Sequence, residues 1–412
     1  MAENIVVLGG GIIGVNVAAH LAEAGQKVLI VDRSGICEET SSGNAGALAF
    51  ADVLPLSQKG MMGQVPRWLF DPLGPFAIPP AYALQIAPWL VRFLIASRPQ
   101  RYESALAAQA SLMKLSAKAW PDLLKRAGSI DMLHKEGSLE LYTSEAAFKA
   151  SLPGWDARAK CGISFTHVEG AELEAIQPGL APFIKRGTYV PGWYTVADPR
   201  QVGQRVWAHA EAHGARFLPG EVATITREGD SLRLSFTDGR SVDCRKIVVA
   251  AGAYSRKFAR LFGDTIPLET ERGYNTTLPL DAFPIAKQLI FGGHGFIVSP
   301  LATGIRIGGA VELGGLKRPP NYARAQAMLE KASRFLPGLK REGGRQWMGY
   351  RPSLPDSLPV IGRSRRDRDV VLAFGHGHLG LTQGAATGKI VRSLVLEEAP
   401  PVDLSAFSPQ RF

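Results

Sequence analysis

Ile5-Val6-Val7-Leu8-Gly9-Gly10-Gly11-Ile12-Ile13-Gly14 decides how this chain begins to fold. Four apolar residues make a buried strand, a helical pattern follows the glycines, and Val28-Leu29-Ile30-Val31-Asp32-Arg33 closes the unit as a second strand. Glycines at 9, 11 and 14 fit a G-x-G-x-x-G spacing. Gly9 makes the tight turn, Gly11 lets a pyrophosphate approach the backbone, and Gly14 lets helix and strand pack closely. The helix start offers free N–H groups and the positive end of its dipole to phosphate. Asp32 stands 18 residues beyond Gly14, where an acid hydrogen-bonds a ribose 2′-OH. Strand, turn, helix and terminal acid agree on a dinucleotide-binding βαβ unit.

A length of 412 residues exceeds what one compact core serves and predicts two or three domains. Apolar residues make up 46% and charged ones 20%, the balance of an ordinary globular protein. Cys37, Cys161 and Cys244 stand singly, without CxxC or metal-ligand spacing, which points to a reducing compartment. Glu3 and Asn4 run straight into the first strand, so the N-terminus reads as no signal peptide and the location as cytoplasmic. The net charge of +10 suits an anionic membrane, a nucleic acid or a carboxylate substrate and separates none of them.

The longest apolar run, residues 81–96, holds Pro88 and Arg92 and is too short and interrupted to span a bilayer. Upstream, Met61, Met62, Trp68, Leu69, Phe70 and Phe76 lie among prolines. Two readings stay open for the segment 50–98. It is either a lid that covers a site or packs on the core, or a peripheral membrane patch on the inner face of the cell membrane. In the second reading apolar groups insert among Lys59, Arg67, Arg92 and Arg98.

Residues 103–127 read as a helix that Pro121 breaks or restarts. Strand signals return at 137–143, and 216–250 reads as a meander in which Leu232, Leu234 and Phe236 alternate with polar residues. The meander ends in Ile247-Val248-Val249-Ala250-Ala251-Gly252, an apolar strand that runs into small residues, as backbone packed against something close. Residues 292–312 are strand-rich and 321–335 helical. The last strand, 370–374, leads through Gly375-His376-Gly377-His378-Leu379-Gly380-Leu381-Thr382 into a helix. That turn is either an ordinary connection or a second helix start aimed at a ligand.

The fingerprint, the IVVAAGAYS strand at 247–255 and the GHGHLGLT turn at 375–382 together resemble the FAD-dependent amine and amino-acid oxidoreductases. This is the group of D-amino-acid oxidase, glycine and sarcosine oxidase, and bacterial D-amino-acid dehydrogenase, and the resemblance spans essentially the whole chain. It is nearest to the small-subunit type of D-amino-acid dehydrogenase, through ETSSGNAG at 39–46, Trp347-Met348-Gly349-Tyr350-Arg351-Pro352 and PDSLPVIG at 355–362. The resemblance implies an α/β fold with a Rossmann-like FAD-binding domain assembled from discontinuous segments 1–60, 197–265 and 345–412. The inserted substrate domain, a mixed and largely antiparallel sheet with helices, would cover 61–196 and 266–344.

FAD would be held noncovalently, since no cysteine falls in the late segments and Cys37 lies near the AMP end. By the resemblance, Gly9, Gly11, Ile13 and Gly14 hold the pyrophosphate, and Asp32 with Arg33 the AMP ribose. Thr40, Ser41 and Ser42 meet phosphate and ribityl groups, while Asn44, Ala45, Gly46, Ala47 and Leu48 run beside the isoalloxazine. Val222 lies by the adenine, and Ala250, Ala251 and Gly252 lie close to the cofactor backbone. His378, Leu379, Gly380, Leu381 and Thr382 deliver backbone N–H groups to the pyrimidine edge, where a helix start stabilises the negative charge that hydride arrival creates.

On the substrate side the resemblance puts Arg351 on a carboxylate, as a bidentate fork, with a structural ion pair as the plain alternative. Tyr274 meets the carboxylate or roofs the site, or merely packs. Tyr350 faces away from Arg351 along a strand. His376 and His378 lack a third ligand signal, so no metal is expected. His294 reads as a surface-loop residue or as an aid to amine deprotonation. The implied activity is oxidative deamination of D-amino acids to 2-oxo acids and ammonia, by hydride transfer from Cα to flavin N5. Electrons then pass to a quinone or other acceptor, or to oxygen. The same scaffold also serves secondary amines such as D-proline, D-hydroxyproline, sarcosine and glycine. Two further readings are a tRNA-directed FAD protein and a noncatalytic FAD-binding subunit. No RNA-binding module accompanies Arg363–Arg368, the densest basic cluster, so no nucleic-acid partner is expected. Arg351 argues against the noncatalytic subunit.

Overall fold

The strand Glu3–Leu8 lies between two parallel neighbours, Val28–Asp32 on one side and Ser241–Val249 on the other. A computed structural model describes residues 3–57, 74 and 76–412. Lys59, Met61, Met62, Arg67, Trp68, Leu69 and Phe70 lie outside the described residues. Arg216–Pro219 extends the Val28–Asp32 edge in parallel. Ser241–Val249 is nine residues long and divides its far edge. Its first half pairs antiparallel with Ser231–Phe236, and its second half pairs in parallel with Val370–Phe374. With Val222–Glu228 and Val360–Arg363 the sheet counts eight strands among the described residues.

Strand alternation sorts this sheet's side chains onto two faces. Ile5, Val7, Ile30 and Val248 face a core shared with the helices Ile12–Glu23, Pro199–Ala212 and Gly380–Leu396. Val6, Leu8, Val31 and Val249 face a second core with Phe258, Leu354 and Phe374. Both faces are buried, which explains the near-continuous apolar runs in the sequence.

The second sheet runs in the order Arg345–Ser353, Glu269–Leu278, Gly304–Leu313, Phe296–Leu301, Gln288–Phe291, Ser138–Tyr142, Arg186–Val190 and Thr166–Glu169. Phe76–Ala77 adds a short parallel strand beside Gly304–Leu313. The other pairings are antiparallel except Gln288–Phe291 with Ser138–Tyr142. A small third sheet joins Ala47–Leu48, Tyr194–Val196 and Leu133–His134.

Two assignments made from sequence change here. Arg345–Ser353, expected in the nucleotide-binding part, pairs with Glu269–Leu278 along its whole length and belongs to the second sheet. Pro99–Arg126, expected in the inserted part, packs instead against Gly380–Leu396, with the Trp120 indole donating to the Leu381 and Thr382 carbonyls at 2.9 Å each. Pro121 does not break this 28-residue helix. A proline removes one hydrogen bond, but Trp120, Leu123 and Leu124 are fully buried beside it and hold the helix in register.

The helix Ala83–Ala96 buries Ile86, Trp89, Phe93 and Ala96 and leaves Leu84, Val91 and Leu94 exposed. No helix among the described residues is long and apolar enough to cross a membrane.

Candidate active site

A cleft of about 550 Å³ draws its walls from both large sheets. Its nucleotide end is mostly backbone. Gly9 has a φ of +117°, and a Cβ there would fall 2.4 Å from the Ala250 carbonyl oxygen. Gly14 lies behind the wall, and a Cβ on it would fall 1.8 Å from the Gly9 oxygen. The helix Ile12–Glu23 starts at Gly11 without a side-chain cap. Ser41 Oγ accepts from the Ile12 amide at 2.9 Å. The next two amides, of Ile13 and Gly14, have no acceptor among the described residues. Such open first-turn donors suit a pyrophosphate.

Asp32 accepts from the Gly10 amide (2.7 Å) through one oxygen and from the Ser34 and Gly35 amides (2.7 and 3.1 Å) through the other. It therefore shapes the glycine turn as well as lining the cleft. Arg33 forks onto Glu39 and stacks over Tyr254 at 4.0 Å. Val222, Ala250, Ala251 and Gly252 line the same end.

The middle of the wall is the loop 40–47, and the second sheet grips it. Asn275 Nδ2 donates to the Gly43 carbonyl (2.9 Å), Gln288 Nε2 to that of Ala45 (3.1 Å), and Arg306 to those of Ser42 (3.0 Å) and Asn44. Four consecutive carbonyls are thus held by three side chains. Burial pulls the Arg306 guanidinium down to about 10, with Asp198 opposing and Arg345 adding. Thr40 Oγ1 donates to the Tyr350 carbonyl (3.1 Å) and accepts from its amide (3.3 Å). Thr40, Ser41, Asn44, Ala45 and Ala47 line the cleft. Ser42, Gly46 and Leu48 do not: the Ser42 hydroxyl closes a local turn onto the Glu38 and Glu39 carbonyls, and Leu48 is fully buried.

His378, Leu379, Gly380, Leu381 and Thr382 line the cleft at the start of Gly380–Leu396, which has no side-chain cap. Thr382 Oγ1 accepts from the Ala49 amide (3.0 Å) and donates to the Ala47 carbonyl (3.2 Å), so this turn and the loop are one unit. Burial drives His376 down to about 3, leaving a neutral ring bonded to Thr387 Oγ1. No group of residues able to hold a metal occurs among the described residues. Two helix starts whose N-cap residues give no side-chain cap and a trough lined largely by backbone fit a flavin dinucleotide.

At the far end Arg351 projects from Arg345–Ser353 toward Gly273, where a Cβ would fall 2.6 Å from the guanidinium carbon. Only glycine leaves it that space. Its one hydrogen bond among the described residues is a long contact to the Gly309 carbonyl, 3.4 Å. Burial holds its pKa below the usual guanidinium value, with Glu271 opposing. An arginine always charged in proteins and so sparsely bonded leaves its fork open to a carboxylate. Tyr274 offers the cleft only its ring. Its hydroxyl donates to Glu312 Oε2 (2.6 Å) and accepts from the Asn321 amide (3.1 Å), and burial with Glu312 pushes it up to about 12. Glu312 also pairs with the buried Arg272 at 3.0 Å. His294 lies outside the cleft wall, its Nε2 3.2 Å from Thr143 Oγ1.

Sequence reading missed Asp52, Trp193, Asn275, Arg306 and Trp347, all of which line the cleft. Their partners are distant: Asn275 and Arg306 hold carbonyls more than two hundred residues away. The one sequence signal was Arg306 itself, a cation flanked in its strand by isoleucines and glycines.

The sequence profile described as FAD dependent oxidoreductase matches residues 4–394. A D-amino-acid oxidase of Bradyrhizobium diazoefficiens is 32% identical over 100% of this chain and 99% of its own length. A D-amino acid dehydrogenase of Rhizobium johnstonii is 28% identical over 99% of each. Among solved structures, glycine oxidase from Geobacillus kaustophilus superposes with a TM-score of 0.78 at 20% identity, over 100% of this chain and 99% of that one. L-proline dehydrogenase from P. horikoshii superposes with a TM-score of 0.76 at 20% identity, over 100% and 98%. These structures share the fold.

Proposed function

This chain belongs to the FAD-dependent oxidoreductase family, and on that premise we propose that it oxidises D-amino acids to 2-oxo acids and ammonia. The open fork of Arg351 in the substrate half of the cleft carries this reading. The D hand follows the names of the relatives aligned over the whole chain. When bound, FAD supplies the acceptor for a hydride leaving the substrate Cα. Arg351 forks onto the carboxylate and so fixes where Cα stands, which supplies most of the acceleration. The Tyr274 and Phe296 rings exclude water. The start of Gly380–Leu396 turns its positive dipole end to the developing charge. A substrate amine that enters neutral needs no strong base.

The same cleft accommodates a secondary amine such as D-proline or D-hydroxyproline. Gly295, Gly308 and Gly309 line its wall without side chains.

The acceptor is a quinone reached at a membrane surface. Leu84, Val91 and Leu94 recur at helical spacing on the solvent face of Ala83–Ala96. Arg92, Arg98 and Arg101 are exposed around them, and no Asp or Glu occurs between Asp71 and Glu103. Such a face suits an anionic bilayer. Co-sedimentation with anionic vesicles, lost on Leu84→Glu with Val91→Glu, is the expected result; binding unchanged by the substitutions moves the contact elsewhere.

The function itself is tested by anaerobic bleaching of the purified flavoprotein with D-amino acids, L-amino acids, sarcosine and D-hydroxyproline, followed by air. Bleaching by D-amino acids with slow recovery in air is expected. Bleaching by L-amino acids alone overturns the assignment, and fast recovery makes oxygen the acceptor.

A further inference from the structure

Asp52 and His378 are polar groups in the cleft wall that the proposed reaction leaves unused. Their side chains come from opposite ends of the sequence, 326 residues apart, and meet with His378 Nε2 at 3.1 Å from Asp52 Oδ2. The Asp52 amide donates to the Ala49 carbonyl at 2.9 Å, which fixes the loop that carries it. Both residues line the cleft, and their side chains keep 25% and 35% of their surface open. Burial works to raise the Asp52 carboxyl, but the hydrogen bond and charge of His378, with Arg158, outweigh it and hold the group below the usual carboxylate range. Asp52 is therefore an ionised, acceptor-only group.

One acceptor position remains open. Arg158 Nη2 stands 4.0 Å from Asp52 Oδ1, beyond hydrogen-bond reach. Ala49, Trp193 and Leu379, which make this part of the wall, are apolar.

The surrounding charges decide what kind of donor fits. Arg158, stacked on Trp155 at 4.6 Å, opposes a second cation beside Asp52. Glu140 shares a strand row with the cleft residues Ile290 and Ile297. Burial holds its carboxyl above the usual range, Arg158 opposing and Asp52 adding. An anion meets Asp52 itself. A neutral hydroxyl meets neither objection and gives its hydrogen to Oδ1.

We propose that Asp52, oriented by His378, selects substrates with a hydroxyl group on the side chain or ring, so that the preferred substrate is a hydroxylated amino acid. The proposal rests on Arg351 holding the carboxylate. A site built to bond a substrate hydroxyl discriminates strongly against the analogue that lacks it, because its own polar group is then left unpaired.

The test measures second-order rate constants for anaerobic flavin bleaching with two matched pairs and one cation. The pairs are D-homoserine with D-norvaline, and cis-4-hydroxy-D-proline with D-proline; the cation is D-ornithine. The hydroxylated member of at least one pair is expected to react about tenfold faster or more. Asp52→Leu should bring that ratio to within about threefold of unity, while Asp52→Asn, which keeps an acceptor oxygen, retains part of it. Should Asp52→Leu lose its flavin, His378→Gln, which releases Asp52, must lower the ratio. A wild-type ratio near one, a ratio that survives Asp52→Leu, or D-ornithine as the best substrate overturns the proposal. If D-norvaline and D-proline bleach the flavin without any hydroxyl advantage, only this proposal falls. If none of the five bleaches it, the D-amino-acid reading falls as well.

Discussion

At its nucleotide end the cleft is walled largely by backbone, with glycine turns, the start of Ile12–Glu23 and Asp32 folded onto its own loop, beside the side chains of Glu38, Glu39 and Glu221. From its middle to its substrate end it is walled by side chains that lean on distant partners: Arg306 across to Ser42 and Asn44, Arg351 against Gly273, Tyr274 on Glu312. The two constructions fail differently. At the Gly9 turn the backbone wall has no spare room, so a single added methyl there blocks it. A side-chain wall keeps its shape when one group is trimmed and loses instead the one interaction that group supplied.

The sharpest way to break this contrast is Gly9→Ala. A Cβ at φ +117° that meets the Ala250 oxygen at 2.4 Å should destabilise the protein by roughly 4 kcal/mol, at the severe end for a point substitution. Thermal melting and flavin absorbance after gel filtration would record it. A variant that keeps its flavin and its melting temperature would show that the turn yields, and the contrast would dissolve.

Arg351→Lys probes the other wall. A lysine keeps the charge but loses the fork, so bleaching by a D-amino acid should slow by about 10²-fold, in line with losing roughly 2–5 kcal/mol from a buried charged contact. Flavin content should stay near wild type. Loss of flavin together with turnover would mean the two ends are one structure after all.

Glu140→Gln has the smallest expected effect. A carboxyl whose folded-state pKa is raised holds its proton more tightly when folded than when unfolded. Folding then carries no penalty at pH below the unfolded value and a growing one as pH rises through it. The substitution should therefore raise the melting temperature by a few degrees at neutral pH and leave it unchanged near pH 4. Equal shifts at both values would assign the effect to packing.

The same contrast explains what the sequence disclosed. Gly9, Gly11 and Asp32 were readable because their spacing is set within one βαβ unit, although the atoms that crowd Gly9 belong to the distant Ala250 and Ala251. Ala250–Gly252 and the turn at His378–Thr382 line the cleft. What depends on pairing between remote strands was not readable. Arg345–Ser353 joins the second sheet through a register with Glu269–Leu278 that neither strand announces alone. Ser42 differs from Ser41 only in the direction the turn gives it. The Tyr274 hydroxyl is committed to Glu312, 38 residues away, which no motif foretells.

The divided edge of Ser241–Val249 bears on how the protein is made. Ile247, Val248 and Val249 find their outer neighbours only in Val370, Val371 and Leu372, more than a hundred residues later. During synthesis the N-terminal βαβ unit and the meander are complete while that edge stands open, and open apolar edges invite wrong partners. The helix Gly380–Leu396, whose first residues line the cleft, follows that strand in the chain, so the cleft wall too is complete only after the open edge is covered.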